Sequence, residues 1–117
     1  MNREVVSDRF PLLPIRFRVN GRSFEELGIL DTGFEGGLSV PPDLLGEIDS
    51  PNATVHLAPF GSGLIERPLL DGVFEIGDYG PFPVEVVAFG DEILIGQAVI
   101  AFFTVTLDHG RRITVSA

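Results

Sequence analysis

A chain of 117 residues suits one compact domain with one hydrophobic core, spanning residues 1–117, with no room for a second lobe carrying a site of its own. Its 8 basic and 17 acidic residues give a formal charge of −9, which repels phosphate backbones and anionic membrane surfaces, so neither nucleic acid nor a membrane is an expected partner. Cysteine is absent, which excludes disulfides and thiolate metal sites and leaves core packing or association with a second subunit to offset the small size.

The apolar fraction of 44%, with 10 Phe, 14 Gly and 9 Pro, describes an all-β domain of short strands and many turns. Ile15, Phe17 and Val19 alternate with Arg16, Arg18 and Asn20, the period of a strand with one buried face. Asn20-Gly21 then tolerates the positive φ angles of a tight hairpin, so Arg22 to Leu30 is expected to return antiparallel. A short strand follows at Leu38 to Val40, and Pro41 to Gly46 reads as one helical turn, proline at its start and glycine past its end. Thr54 to Leu57 and Leu64 to Leu70 flank a glycine-rich hairpin tip, Ala58 to Gly63. Val73 to Ile76 and Val84 to Phe89 form a further hairpin around the turn Gly77-Asp78-Tyr79-Gly80, with Pro81 and Pro83 restricting pairing at its start. Ile93-Leu94-Ile95 is a run of the kind buried on both sides, Gly96 to Phe102 is the other helix candidate, and the turn Asp108-His109-Gly110 leads to a last strand, Ile113 to Val115. No apolar run is long enough to cross a bilayer, and a cytoplasmic protein is the expectation.

Asp31-Thr32-Gly33 lies directly after the apolar Ile29-Leu30 and is followed by Phe34-Glu35-Gly36-Gly37. Alone, Asp-Thr-Gly is an ordinary turn, in which the carboxylate accepts from backbone amides and glycine supplies conformational freedom. His56 and His109 have no second ligand at metal spacing, so neither metal nor cofactor is expected. No serine sits in a Gly-x-Ser-x-Gly elbow; Gly61-Ser62-Gly63 has its glycines too close.

The Asp-Thr-Gly triplet early in the chain, with Ile93-Leu94-Ile95-Gly96 about sixty residues later, resembles the two signatures of retropepsin-like aspartic proteases. The likeness runs from roughly Ile15 to Val115, and the string Asp31 to Pro41 is more similar to bacterial single-domain members than to the viral enzymes. It implies a closed β-barrel subunit with a flap hairpin and one short helix near the C-terminus. It also implies that Asp31 is the catalytic aspartate, that the Thr32 hydroxyl braces two loops across a dimer axis, and that Gly33 lets substrate approach. Ile95, Gly96 and Gln97 would then support the site, and Phe60, Gly61, Ser62 and Gly63 would form the flap tip over substrate. Phe34 either lines a subsite or packs in the core. Where viral members pair an arginine with an acidic residue, this chain has Gln97 and Glu35, leaving at most a hydrogen bond. The C-terminal segment Arg111 to Ala117 either joins an intersubunit sheet or edges its own subunit.

Peptide hydrolysis without metal or covalent intermediate needs a base for water and an acid for the carbonyl, and two carboxyls sharing a proton supply both. One Asp-Thr-Gly and no Asp-Ser-Gly occur here, so the second carboxyl must come from a two-fold related copy. The expectation is an aspartic-type endopeptidase, active as a homodimer on peptide or protein substrates. The alternative is a non-catalytic peptide-binding or assembly module on the same fold.

Overall fold

The structure, a computed structural model, describes residues 4–48, 53–57 and 63–117. In chain order the elements are β1 (Val5–Ser7), β2 (Leu12–Val19), β3 (Arg22–Leu30), β4 (Leu38–Val40), α1 (Pro42–Leu45), β5 (Ala53–Leu57), β6 (Ile65–Ile76), β7 (Tyr79–Ala88), β8 (Leu94–Ile95), α2 (Gln97–Ile100), β9 (Thr104–Asp108) and β10 (Arg112–Ser116). No helix among the described residues is long and apolar enough to cross a membrane.

The period-two pattern of β2 places Leu13, Ile15, Phe17 and Val19 in the core, each at most 3% exposed. Asn20 and Gly21 take φ of 55° and 71°, as a two-residue hairpin turn requires, and β3 returns with Val19 opposite Arg22. The large sheet runs β2-β3-β8-β4-β7-β6-β5, and β2 also pairs with β6, which closes six of these strands into a barrel. Closure removes sheet edges and encloses Leu38, Val40, Phe74, Val86 and Ile95.

Where two strands were expected at Leu64 to Leu70 and Val73 to Ile76, one continuous strand, β6, runs through Asp71-Gly72. The glycine marks a close approach, not a turn. A side chain at Gly72 would come within 2.7 Å of the Arg18 carbonyl oxygen, so hydrogen there lets β6 lie against β2. The following turn is shorter than its composition suggests: Gly77-Asp78 alone joins β6 to β7, and Tyr79 already pairs with Ile76. Pro81 and Pro83 lie inside β7, next to a register shift between Phe74 and Ile76. From Leu69 onward β6 has β7 beside it, and from Gly72 also β2, whereas Ile65 to Pro68 pair with β5 alone.

A second, three-stranded sheet has the order β1-β10-β9. The C-terminal strand is thus the centre of a sheet within its own chain, with Val5 opposite Val115 and Ile113 opposite Leu107. Ile113 and Val115 are buried against the barrel core. The helix expected at Gly96 to Phe102 is a single turn, because Phe102 and Phe103 leave it for an aromatic cluster. Phe82 stacks on Phe102 at 4.5 Å between centroids, Phe103 packs edge-on to Tyr79 at 5.4 Å, and the fully buried Phe74 lies among them. Such pairs add about 0.5–1.5 kcal/mol each beyond their area.

Candidate active site

β8 is parallel to β3, with Leu30 opposite Ile95, and antiparallel to β4, with Leu38 opposite Ile95. The loop 31–37 therefore leaves β3 on one side of β8 and rejoins β4 on the other, with β8 running between its two stems. This threading explains the wholly apolar Ile93-Leu94-Ile95: a strand flanked on both edges inside the barrel has little contact with water. Ile93 and Ile95 are 7% and 1% exposed.

Backbone hydrogen bonds fix the loop onto the threaded strand. The Asp31 amide donates to the Ile95 carbonyl at 2.9 Å, and the Gly96 amide donates to the Gly37 carbonyl at 2.8 Å. The first turn of α2 then donates back, Gln97 N–H to the Phe34 carbonyl at 2.8 Å and Ala98 N–H to Gly36 at 3.1 Å. Before the loop, the Leu30 amide donates to the Pro11 carbonyl at 2.9 Å. Asp31 is held from both flanks before its side chain does anything.

The Asp31 carboxylate is half-buried, while Thr32 and Gly33 are exposed. Its Oδ1 accepts the Gly33 amide at 2.9 Å, the bond that a plain turn would also have. The other oxygen takes no hydrogen bond among the described residues, and no basic side chain pairs with the group. A carboxylate with no ionic partner among the described residues, on a loop pinned by backbone bonds, can serve as a base or share a proton with a second one.

Gly96 has no room for a side chain, since a Cβ there would run into the Gly36 carbonyl and the Phe34 ring. Phe34 is half-buried and lies over Gly36 and Gly96, so its ring packs on the loop's own glycines. Gln97 does not turn to Glu35. Its side-chain amide donates to the Thr32 carbonyl at 2.5 Å, bracing the triplet from α2 while the Glu35 side chain stays exposed. Of the flap residues, Gly63 is exposed with φ of 101°, and Phe60, Gly61 and Ser62 lie outside the described residues.

One support was not foreseen from sequence. Ser39 is 2% exposed and donates to the Phe89 carbonyl at 3.2 Å, tying β4 to the start of the segment 90–93. Its signal was present: a lone hydroxyl in the apolar run Leu38-Ser39-Val40 needs a buried acceptor.

A barrel threaded in this way, with an Asp-Thr-Gly loop spanning the threaded strand, is the retropepsin-like fold. The chain is similar to a solved retropepsin-like aspartic protease from Rickettsia conorii, with a TM-score of 0.60 and 15% sequence identity over 96% of this chain and 89% of that one. No protein-family model and no curated protein matches the sequence.

Proposed function

We propose that the protein is an aspartic endopeptidase that works as a homodimer, each subunit contributing one Asp31 to a shared pair of carboxyls. The observation that carries this reading is the half-buried Asp31 carboxylate, without an ionic partner among the described residues, on a loop pinned to the β8 strand by the Ile95 and Gly37 carbonyls. A lone carboxylate cannot both activate water and protonate a leaving group. Two brought together at a symmetry axis share one proton, because both cannot ionise at close range, and the pair then acts as base and acid at once. Thr32 and Gly33, exposed beside it, would meet the partner loop and the substrate backbone. The glycine-flanked β5–β6 hairpin would cover an extended peptide.

The test is cleavage of a diverse peptide mixture, read by mass spectrometry, with and without a statine-type transition-state mimic. Cleavage is expected, suppressed by the mimic. Activity per milligram should also rise with protein concentration until the dimer is saturated, because each chain at −9 repels its copy and dimers fall apart on dilution. Cleavage unaffected by the mimic, or activity strictly proportional to concentration across the monomer–dimer transition seen by ultracentrifugation, would overturn the reading. A folded dimer that cuts nothing would favour the peptide-binding module instead.

A further inference from the structure

A groove of about 570 Å³ runs along the outer face of β3 as that strand approaches Asp31. Its apolar floor is made by Leu12, Leu27, Ile29, Leu44 and Ile93. Leu12 and Ile29 are a cross-strand pair, and Leu27 shares their face by the period of the strand. Leu27 is 36% exposed, a large apolar side chain left open to solvent. Four carboxylates stand around this floor, Glu26, Asp43, Asp91 and Glu92, and no lysine, arginine or histidine lines it. None of the four is in an ion pair among the described residues, whereas Asp8 and Glu75 pair with arginines and Glu66 and Asp108 lie beside histidines. No group of three acidic or imidazole side chains among the described residues is arranged to hold a metal ion.

An apolar floor with an uncompensated acidic rim selects a ligand with the opposite arrangement. Lysine and arginine have it: an aliphatic stem that covers apolar surface and a cation at its end. We propose that this groove docks a segment of a polypeptide partner in which lysine or arginine alternates with apolar residues. Ile29 precedes Asp31 by two residues, and its amide donates to the Ile93 carbonyl at 2.8 Å, so groove and catalytic loop share one strand end. A segment docked there lies on the strand that leads into the Asp31 loop, and we take it to be part of the substrate. That last step rests on the peptidase reading; the binding itself does not.

The experiment uses the Asp31→Asn protein, which keeps bound peptide uncut, and a short fluorescent peptide alternating lysine and leucine. Its comparators are the same peptide with glutamate for lysine and one with serine for leucine. Anisotropy is expected to show the lysine-leucine peptide binding at least about tenfold tighter than either comparator. The groove variant D91K/E92K should lose that preference, and a variant of equal charge change away from the groove, E75K/D108K, should keep it. Equal losses in the two variants would overturn the proposal in favour of a general attraction to an acidic protein. Equal affinity for the lysine-serine peptide would overturn it by removing the apolar floor from recognition. Because cleavage by unaltered protein is measured separately, a peptide that binds but is never cut counts against the peptidase reading alone.

Discussion

Adding Asp31→Asn chains to the unaltered protein is expected to poison its activity out of proportion to dilution. The substitution preserves the fold, because the side-chain oxygen of asparagine can still accept the Gly33 amide that Oδ1 holds at 2.9 Å, and the backbone bonds to Ile95 and Gly37 do not involve the side chain. What it removes, on the proposed reading, is the shared proton. The variant alone should therefore be folded, dimeric and slower by about a thousandfold, the scale of losing a general base. In mixtures, random pairing makes the fraction of intact dimers the square of the fraction of unaltered chains. At one unaltered chain in ten, about one dimer in a hundred keeps both carboxyls. Peptide cleavage measured across a mixing series distinguishes this square law from a straight line, and a straight line would mean that each chain acts alone.

Gly96→Ala is expected to cost about 3 kcal/mol or more in chemical denaturation, far above the cost of alanine at an ordinary glycine. The added carbon meets the Phe34 ring and the Gly36 and Phe34 carbonyls, and the two carbonyls cannot give way without disturbing the hydrogen bonds they accept from Ala98 and Gln97, which join α2 to the Asp31 loop. Gly110→Ala is the control. At φ of 65° it has nothing within 4 Å, so its cost is conformational and should be about 1 kcal/mol. Equal losses at the two positions would mean that the contact at Gly96 relaxes.

How much of this was legible depended on whether the deciding interaction was local. The Asn20-Gly21 hairpin, the β4 strand and the α1 turn were readable because turn chemistry and period are set by residues next to one another. β6 was read as two strands, leaving out Asp71 and a glycine, Gly72, that the continuous strand requires. The reason for that glycine, the Arg18 carbonyl of a strand some fifty residues away, has no local trace. Gln97 illustrates the same limit inside the site. Its place at the start of α2 was readable, but its choice of the Thr32 carbonyl over Glu35 depends on where the threaded strand sets the helix. The role of β10 was open for a similar reason, since pairing Val115 with Val5 joins opposite ends of the sequence.

The uneven support of β6 has a consequence for how firmly its amides are protected. Ile65 to Pro68 are bonded to β5 alone, whereas Phe74 is flanked by β7 on one side and β2 on the other. A two-stranded ribbon opens locally at small free-energy cost, and a strand closed into a barrel exchanges only when the whole barrel comes apart. Hydrogen–deuterium exchange should therefore climb in protection along one strand, from rapid at Ile65 to the global limit at Phe74. The same covalent strand that closes the barrel would thus carry, at its other end, a stretch that opens without loosening the barrel around Phe74.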